Sequence, residues 1–311
     1  MNTHDVVILL ATYNGEKYLK RQLESIQDQT YCQFSCIVCD DGSSDHTKLI
    51  AREFCCNDTR FHLISNKSEQ HGAFGNFWYL MEFAYGQTDA NYFFFSDQDD
   101  FWAPRKIEKE LEELKGIENK GEIASLVYCN QEITDEALNK LDIEDPYVTN
   151  NRGTKDFKRL VFRNVAPGCT MVVNRRLLNI SLRFGDPSKI VMHDWWIILC
   201  AMAFGNIAYI DDKLMCYCQH RDNSIGAGKN TFQKIIKYLL NSHGAWKNRQ
   251  IQANKCKAQI ELLSQIALDS PYKNEIISFC KAMEKNKLLK AKYIISNKYI
   301  AARDLFTLLF I

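Results

Sequence analysis

Seven carboxylate side chains follow three short apolar runs in the first hundred residues, and their type and spacing favour chemistry. They are Glu16 after the first run, Asp40, Asp41 and Asp45 after the second, and Asp97, Asp99 and Asp100 after the third. If these carboxylates converge, they repel one another unless a cation or hydrogen-bond donors lie beside them. A hard divalent cation prefers oxygen ligands, so the pattern predicts Mg²⁺ or Mn²⁺ that holds the phosphates of a nucleotide.

Apolar runs and amphipathic stretches alternate along the first part of the chain, which predicts strands and helices in turn. The predicted strands are Val6–Leu10, Phe34–Cys39, Phe61–Ser65 and Tyr92–Ser96, and the predicted helices are Lys17–Gln27, Asp45–Phe54, Gly75–Tyr85 and one beginning at Pro104. This alternation is typical of an α/β fold with a mostly parallel central sheet flanked by helices. Ligands of such sheets bind at the carboxyl ends of the strands, so we expect the carboxylates to meet there.

The alternation is less regular beyond residue 120. Strands are predicted at Ser125–Asn130, Cys169–Val173, Asn206–Ile210 and Leu214–Gln219, and a helix is predicted at Asp194–Ala203. The stretch from Gln131 to Lys158 is polar and has no clear periodicity. From Thr231 onward the chain is rich in Lys, Leu and Ile and poor in Gly and Pro, which predicts a helical tail.

Phosphate-binding glycine motifs are missing from the sequence. It contains neither a Walker motif nor GxGxxG, and Gly72 and Gly75 form only a weak glycine pair. We therefore expect a metal ion, rather than a glycine-rich helix N-terminus, to hold the phosphates. Asn76 follows this glycine pair. It either contacts the sugar or diphosphate part of a bound nucleotide or is an ordinary residue at the start of a helix.

Composition excludes several classes of protein. The 311 residues are 46% hydrophobic and 25% charged, as in a globular protein. No apolar stretch is long enough to span a membrane and no secretory signal begins the chain, so we expect a cytoplasmic location. Twelve scattered cysteines do not suggest a disulfide scaffold. Cys36 and Cys39 lie three apart on a predicted strand and face opposite sides, so we expect core residues rather than metal ligands.

Charge is distributed unevenly along the chain. From residue 229 to the end there are 15 Lys and Arg against five Asp and Glu, although the whole chain has a net charge of only +1. The lysines of residues 281–298 alternate with Leu, Ile and Tyr, a pattern that suits the anionic surface of the inner membrane. The alternative is a helical hairpin that packs on the preceding part of the chain and exposes a solvated lysine face. No motif for binding nucleic acid is present.

Five motifs together resemble the family 2 glycosyltransferases, which have a Rossmann-like GT-A fold. They are Thr12-Tyr13-Asn14-Gly15, Asp40-Asp41-Gly42-Ser43-Ser44-Asp45, Ser96-Asp97-Gln98-Asp99-Asp100-Phe101-Trp102, His193-Asp194-Trp195-Trp196 and Gln219-His220. The resemblance is to the rhamnosyltransferase-like branch of bacterial surface-polysaccharide enzymes. It covers residues 5–226, so we expect a catalytic domain at 1–226 and a basic helical region at 227–311.

The resemblance implies roles for particular residues. Asp194 would be the general base, and Asp97 and Asp99 would form a DxD metal pair with Asp99 as the direct ligand and Asp100 as its competitor. His220 would be a further contact to the metal or the diphosphate. The nucleotide pocket would include Thr12, Tyr13, Asn14, Glu16, Asp40, Asp41, Asn76 and Asp97, and Asp40 would bind the pyrimidine base. The acceptor side would include Gly168, Trp195 and Trp196.

Three of these motifs also have a purely structural interpretation. Asp40-Asp41-Gly42-Ser43 is equally typical of a turn with a helix cap. Asp194 is a suitable N-cap for a helix that begins at Trp195, Trp195 and Trp196 suit a core, and His220 suits a structural histidine.

The reaction implied by the resemblance is sugar transfer with inversion at the anomeric carbon. A divalent cation would stabilise the leaving diphosphate, and a carboxylate would take the proton of the acceptor hydroxyl. The expected donor is dTDP-rhamnose, giving L-rhamnose transfer to a lipid-linked saccharide. The alternatives are a UDP-hexose donor and a non-catalytic subunit that only binds nucleotide sugar.

Overall fold

A computed structural model describes residues 4–142, 156–220, 242–266 and 269–299. Eight strands form one sheet in these ranges: β1 (Val6–Thr12), β2 (Phe34–Asp40), β3 (Phe61–Ser65), β4 (Tyr92–Ser96), β5 (Phe101–Trp102), β6 (Ala124–Thr134), β7 (Met171–Asn174) and β8 (Gly205–Cys218). Their order is β3-β2-β1-β4-β7-β6-β8-β5. The α/β fold with a central sheet is confirmed.

Ten α-helices accompany the sheet in the described ranges. They are α1 (Leu19–Gln27), α2 (Thr47–Asn57), α3 (Gly72–Gln87), α4 (Lys106–Ile117), α5 (Phe157–Leu160), α6 (Arg175–Phe184), α7 (His193–Phe204), α8 (Ser242–Ile266), α9 (Lys273–Met283) and α10 (Lys287–Ser296). A 3₁₀ turn at Gly168–Thr170 precedes β7. None of the described helices is both long and apolar enough to cross a membrane.

The sheet changes from parallel to mixed at β7. Strands β3, β2, β1 and β4 pair in parallel, whereas β7 is antiparallel to both β4 and β6. Strand β8 is parallel to β6, and the short β5 is antiparallel to β8. Strands β1, β2, β3, β4, β6 and β8 therefore end at the same edge of the sheet, and β7 begins there.

Alternate residues of the central strands enter two separate apolar clusters, one on each face of the sheet. Val7 and Leu9 belong to the first cluster and Val6 and Ile8 to the second. This is the two-residue period of a strand that is buried on both faces. Cys39 and Cys36 divide in the same way, so their side chains lie on opposite faces of the sheet, as the sequence predicts.

Several predicted boundaries need correction. The two predicted strands Asn206–Ile210 and Leu214–Gln219 merge into one strand, β8, which ends at Cys218, because a shift in register opposite Cys129 and Asn130 accommodates the polar residues between them. Residues 131–134 continue β6, although their polar character hides the strand. Residues 168–170 form the 3₁₀ turn, so β7 begins at Met171 and not at Cys169.

The C-terminal helices share the main core of the molecule. Ile260 and Leu263 of α8, Phe279 and Met283 of α9, and Ile294 of α10 are buried in the first apolar cluster. The predicted helical extension is therefore present, and its apolar residues pack on the domain that carries the sheet. The predicted domain boundary at residue 226 lies outside the described residues.

Candidate active site

The carboxyl ends of β1, β2 and β4 bring the first three motifs together. Thr12 at the end of β1 pairs with Asp40 at the end of β2, and Leu10 pairs with Ser96 at the end of β4. Because β6 and β8 run in the same direction, Glu136 and His220 reach this edge as well. The 3₁₀ turn before β7 completes it. This edge is the candidate active site.

Gln98 joins the β4 loop to the end of β1. Its Oε1 accepts hydrogen bonds from Thr12 Oγ1 (2.7 Å) and Tyr13 N (2.9 Å), and its Nε2 donates to Tyr13 O (3.1 Å). A Cβ at Gly15 would lie 2.2 Å from Gln98 Oε1, so this arrangement needs glycine at position 15. The ring of Tyr13 is 55% exposed and available to a ligand.

The β1 and β2 loops are also joined through their own polar groups. Asn14 N donates to Ser43 Oγ, and Asn14 Oδ1 accepts from Ser44 N, both at 2.9 Å. Glu16 Oε2 accepts from His46 N (2.9 Å) and lies 2.7 Å from His46 Nδ1. The hydrogen bond from the His46 amide lowers the pKa of Glu16. Asn14 and Glu16 thus hold the two loops in register.

Asp41 is fully engaged with neighbouring protein groups. Its Oδ1 accepts from Asn66 Nδ2 (2.8 Å) and lies 2.8 Å from His71 Nδ1, and its Oδ2 accepts from Gly72 N (2.6 Å). Gly72 is the first residue of α3. Asp41 therefore ties the end of β2 to the start of that helix.

Asp40 has one oxygen engaged and one free among the described residues. Its Oδ2 accepts from Gly42 N and Ser43 N at 3.0 Å each, as the turn interpretation predicts, and lies 3.4 Å from Lys48 Nζ. Its Oδ1 is buried without a hydrogen-bond partner. A ligand with an N–H donor would satisfy this atom.

Asn76 lies beneath the β1 and β2 ends rather than in an open pocket. It is 2% exposed, and its Nδ2 donates to Cys39 O at 2.9 Å and to Thr12 O at 3.4 Å. The amide nitrogen of Asn76 thus braces the two strand ends, while its Oδ1 is buried without a hydrogen-bond partner among the described residues.

Asp97 and Asp100 form a carboxylate pair beside Cys169. One ligand atom of each of the three residues lies within 4.8 Å of the others. Asp100 is 1% exposed, and neither of its oxygens has a hydrogen-bond partner in the described structure. Burial, followed by the charges of Asp99 and Asp97, raises the pKa of Asp100 well above its usual range. The groups that favour its charged form, the Cys169 thiol and the Cys218 backbone, do not offset the burial.

Asp99 and His220 form a separate contact at the edge of this pair. Asp99 Oδ2 lies 2.7 Å from His220 Nε2, and the His220 ring stacks on Tyr18 at 4.4 Å. Arg21 Nη2 also donates to Asp99 O (3.4 Å) and Arg21 Nη1 to Glu136 O (2.6 Å). Of the three metal residues predicted from the sequence, Asp99 and His220 thus contact each other, while Asp97 groups with Asp100 and Cys169.

Asp194 lies within the first turn of α7. The helix begins at His193, so Asp194 is not the N-cap of a helix that begins at Trp195. Its Oδ2 accepts from Gly168 N (3.1 Å) and its Oδ1 from Trp195 N (2.6 Å). Burial raises the pKa of Asp194 to about 6, although these amides and the side chain of Asn164 oppose the shift.

The charge of Asp194 connects it with the carboxylate pair. Burial, the charge of Asp99 and the charge of Asp194 together raise the pKa of Asp97 to about 7. Asp97 therefore lies near both Asp99 and Asp194, although β4 and α7 are almost a hundred residues apart in sequence.

Gly168 lets the turn before β7 approach the start of α7 closely. A Cβ at Gly168 would lie 2.9 Å from His193 Nε2 and 3.6 Å from the Cβ of Asp194. The His193 ring stacks on Phe77 at 4.2 Å, and neither of its nitrogens has a hydrogen-bond partner among the described residues. Burial lowers the pKa of His193 to about 3, so the imidazole is neutral.

Trp195 and Trp196 belong to the core. Trp195 is 4% exposed and its Nε1 donates to Leu160 O (2.6 Å), whereas Trp196 is fully buried and its Nε1 donates to Ser181 O (2.9 Å). This packing matches the core alternative for these tryptophans. Of the three predicted acceptor-side residues, Gly168 and Trp195 contact Asp194 through their backbone amides.

Four residues of the site escape the sequence analysis: Gln98, Arg21, Glu136 and Cys169. Gln98 lies inside the acidic motif, which was a signal for its importance. Arg21 lies on the helical stripe of α1, and Glu136 lies in a stretch without periodicity. Their contacts join α1 to the segment after β6 and to β8, and no local pattern reveals such contacts.

The donor set of the pair fits a hard divalent cation. Asp97 and Asp100 provide carboxylate oxygens, the ligands that Mg²⁺ and Mn²⁺ prefer. Burial, followed by the charges of Asp100 and Asp97, raises the pKa of the Cys169 thiol well above its usual range, so the sulfur is a neutral neighbour rather than a thiolate ligand. The buried oxygens of Asp100 without donors are the atoms that a cation would satisfy.

Comparison with known proteins agrees with this geometry. The family model described as glycosyl transferase family 2 matches residues 7–179. The dTDP-rhamnosyl transferase RfbG of Shigella flexneri is 27% identical over 253 residues, 78% of this chain and 82% of that protein. WfgD of Escherichia coli, a UDP-Glc:alpha-D-GlcNAc-diphosphoundecaprenol beta-1,3-glucosyltransferase, is 29% identical over 236 residues, 76% of this chain and 84% of that protein.

Solved structures share the fold at low sequence identity. TarS of S. aureus in complex with UDP aligns with a TM-score of 0.53 and 14% identity, over 93% of this chain and 78% of that one. The mannosyltransferase PcManGT of Pyrobaculum calidifontis, in complex with GDP-Man and Mn²⁺, also aligns with a TM-score of 0.53 and 14% identity, over 99% and 87%. The chain thus belongs to glycosyl transferase family 2, and it is a glycosyltransferase with a GT-A fold.

Proposed function

We propose that this protein transfers a sugar from a nucleotide-sugar donor to a saccharide acceptor in the synthesis of a bacterial surface polysaccharide. The transfer depends on a divalent cation and inverts the anomeric carbon. The observation that carries the proposal is the buried Asp100 carboxylate, which lies next to Asp97 and makes no hydrogen bond of good geometry among the described residues, with only the Cys169 thiol and the Cys218 backbone nearby to favour its charge. A buried carboxylate without donors is costly unless a ligand compensates it.

Asp97 and Asp100 would hold the cation, Mn²⁺ or Mg²⁺. When bound, such an ion supplies Lewis-acid stabilisation for the negative charge that develops on the leaving diphosphate. Asp99 and His220, in contact at 2.7 Å, flank the diphosphate. The structural relative PcManGT was solved with GDP-Man and Mn²⁺, which supports a divalent cation beside the nucleotide sugar here.

Asp194 is the proposed base for the acceptor hydroxyl. A carboxylate whose pKa is raised to about 6 is charged at neutral pH, yet it is a stronger base than an ordinary aspartate. Gly168 N and Trp195 N fix the orientation of its oxygens. The acceptor hydroxyl, on the side of the sugar opposite the diphosphate, gives up its proton to Asp194 as it attacks.

The nucleotide binds at the ends of β1 and β2. The free Oδ1 of Asp40 accepts a hydrogen bond from the N–H of a pyrimidine base. The exposed ring of Tyr13 lies beside it on the β1 loop, and Thr12 fixes that loop through Gln98. Asn14, Glu16, Asp41 and Asn76 shape the pocket by holding the loops and strand ends.

The proposed donor is dTDP-rhamnose, and a UDP-hexose is the alternative. The dTDP-rhamnosyl transferase RfbG and the UDP-glucose-dependent WfgD resemble the chain to a similar degree, at 27% and 29% identity. The name of WfgD specifies a diphosphoundecaprenol acceptor, which supports a lipid-linked saccharide as the acceptor here. Such an acceptor would place the enzyme in the cytoplasm at the inner-membrane surface, which the basic tail predicts.

A panel of nucleotide sugars tests the proposal. The thermal midpoint of the protein is measured with Mn²⁺ and dTDP-rhamnose, UDP-glucose, UDP-galactose or GDP-mannose, and transfer to a diphosphoundecaprenol-linked saccharide is followed by mass spectrometry. We expect the largest stabilisation and a transferred deoxyhexose with dTDP-rhamnose. A larger shift with a UDP-sugar would replace the donor assignment, and no transfer or hydrolysis with any of them would contradict the enzymatic proposal.

A further inference from the structure

Helix α10 carries apolar side chains on the side that faces away from the core. Leu288 is 79% exposed, Leu289 45% and Ile295 51%, whereas Ile294 is fully buried. These three are half of the large apolar residues that are exposed in the described part of the chain. A helix that packs on a domain normally presents polar residues to water, so α10 departs from that pattern.

The exposed residues form a continuous stripe. Leu288, Lys292 and Ile295 lie four and three residues apart and therefore share one helical face, with Leu289 beside them. We call Leu288, Leu289, Lys292 and Ile295 the outer face of α10. It combines three apolar side chains with a lysine.

Further lysines surround the outer face. Lys281, Lys285 and Lys298 are exposed on α9 and in the segments that flank α10. Glu284 is the one acidic residue between positions 281 and 298. The surroundings of the apolar stripe are thus strongly basic.

The C-terminal helices lie on the acceptor side of the site. Phe279 of α9 packs edge-on against Phe162 with ring centroids 5.7 Å apart, and Tyr272 stacks on Phe157 of α5 at 5.5 Å. The segment that begins with α5 continues to Gly168, whose amide holds Asp194. The outer face is therefore carried by helices that support the acceptor flank.

We propose that the outer face of α10 docks on an anionic lipid bilayer. The apolar side chains enter the boundary between headgroups and acyl chains, and the lysines approach the lipid phosphates. This inference rests on the proposed function, because docking serves transfer only if the acceptor is linked to a lipid. A bilayer on this flank would supply such an acceptor. The docking itself requires no catalysis.

Two other occupants of the outer face are possible in principle: the apolar end of this chain, residues 305–311, and a second copy of the chain. An apolar segment complements the leucines but leaves the surrounding lysines without an anion, and a second copy would bring like charges together. An anionic bilayer complements both components. The chemistry of the face therefore favours lipid.

Flotation of the full-length protein with vesicles tests the proposal. We compare vesicles of phosphatidylcholine with vesicles that contain about one third phosphatidylglycerol, at low and high salt. The wild-type protein should bind the anionic vesicles and lose affinity as salt rises, because screening weakens the lysine–phosphate attraction. Equal binding to both kinds of vesicle, or none to either, would overturn the proposal.

Two double variants and one matched control locate the surface. Leu288→Glu with Leu289→Glu should weaken binding at least tenfold, and Lys285→Glu with Lys292→Glu should weaken it similarly, since each juxtamembrane lysine contributes a several-fold effect. Leu49→Glu on α2, an apolar residue with 63% exposure, should bind as the wild type does. Thermal midpoints and light scattering show whether the variants remain folded and whether the mass changes.

The outcomes distinguish a bilayer from the other two occupants of the outer face. They also distinguish failure of the docking proposal from failure of the proposed sugar transfer. If the leucine variant becomes monomeric, or loses thermal stability without losing vesicle binding, the face belongs to a second copy or to the chain's own apolar end, and the lipid proposal is wrong. If vesicle binding behaves as expected but no nucleotide sugar is used, docking stands and the proposed function fails. If transfer proceeds in detergent while vesicle binding is absent, the function stands and docking fails.

Discussion

The carboxylates after β2 and those after β4 lie at the same edge of one sheet, yet their surroundings are opposite. Asp41 has donors for both oxygens, from Asn66, His71 and Gly72. Asp100 has no donor in hydrogen-bonding geometry among the described residues, and its pKa is raised well above the usual range. Carboxylates with internal donors organise loops, whereas carboxylates without them require a ligand.

The same contrast separates Asp45 from Asp194. Burial would raise the pKa of Asp45, but hydrogen bonds from the hydroxyl and amide of Thr47 outweigh it and lower the pKa. At Asp194 burial outweighs the amide donors, and the pKa rises to about 6. Asp194 is thus a stronger base than Asp45 because it is more deeply buried, not because it lacks donors.

The largest expected effect is the loss of the proposed base. Asp194→Asn should slow sugar transfer by about 10²–10⁴-fold, because the amide cannot take the proton of the acceptor hydroxyl. Affinity for the nucleoside diphosphate, measured by calorimetry, should be unchanged. Asp89→Asn, an exposed control, should retain wild-type activity. Full activity in Asp194→Asn would show that Asp194 is not the base and that its raised pKa, in contrast to the lowered pKa of Asp45, has no role in catalysis.

The pH dependence of transfer tests the raised pKa of Asp194. The side chain is the active base only when it is deprotonated, so the rate should rise with pH and level off above about 6. Below that value it should fall by about tenfold for each pH unit. The profile is measured by initial rates at saturating donor. An acidic limb near pH 4, typical of an unperturbed aspartate, would be inconsistent with the buried environment.

Substitution of the carboxylate after β2 should change the stability of the protein. Asp41→Asn replaces an acceptor of three hydrogen bonds and should lower the free energy of unfolding by about 1–3 kcal/mol, measured by urea denaturation. Asp100→Asn should cause no comparable loss without added metal, because neither oxygen of Asp100 makes a hydrogen bond of good geometry that would be lost. If the two variants are equally destabilised, the distinction between organising and ligand-binding carboxylates is wrong.

The smallest effect is expected at His193. Its ring is held by stacking on Phe77, without hydrogen bonds among the described residues, so His193→Phe preserves its contacts. We expect a change in unfolding free energy of less than about 1.5 kcal/mol and a transfer rate close to that of the wild type. A rate at least tenfold lower in a folded variant would instead assign this histidine a chemical role.

The sequence predicts the elements that depend on local pattern. The runs Val6–Leu10 and Tyr92–Ser96 are strands because they are apolar throughout, and the acidic motif after β4 lies where a parallel sheet places its ligands. Cys36 and Cys39 are core residues because the two-residue period of a strand places their side chains on opposite faces of the sheet. These features can be predicted because each depends only on residues that are close together in sequence.

Features that depend on distant contacts escape prediction. Strand β8 was divided at its polar residues because a register shift cannot be seen without the partner strand β6. Glu136 accepts from Tyr18 Oη at 3.0 Å, a pairing across 118 residues. The grouping of Asp97 with Asp100, and of Asp99 with His220, depends on side-chain directions in one loop. Spacing alone left the choice between Asp99 and Asp100 open.

Calorimetric titration with dTDP or UDP, in Mn²⁺ and in EDTA, tests most directly whether the donor-poor carboxylates hold a cation beside the diphosphate. The wild-type protein should bind the nucleotide at least tenfold more tightly with Mn²⁺, and Asp100→Asn and Asp97→Asn should each abolish that difference while Asp89→Asn keeps it. Binding that is equally tight in EDTA, or unchanged in both loop variants, would contradict the account.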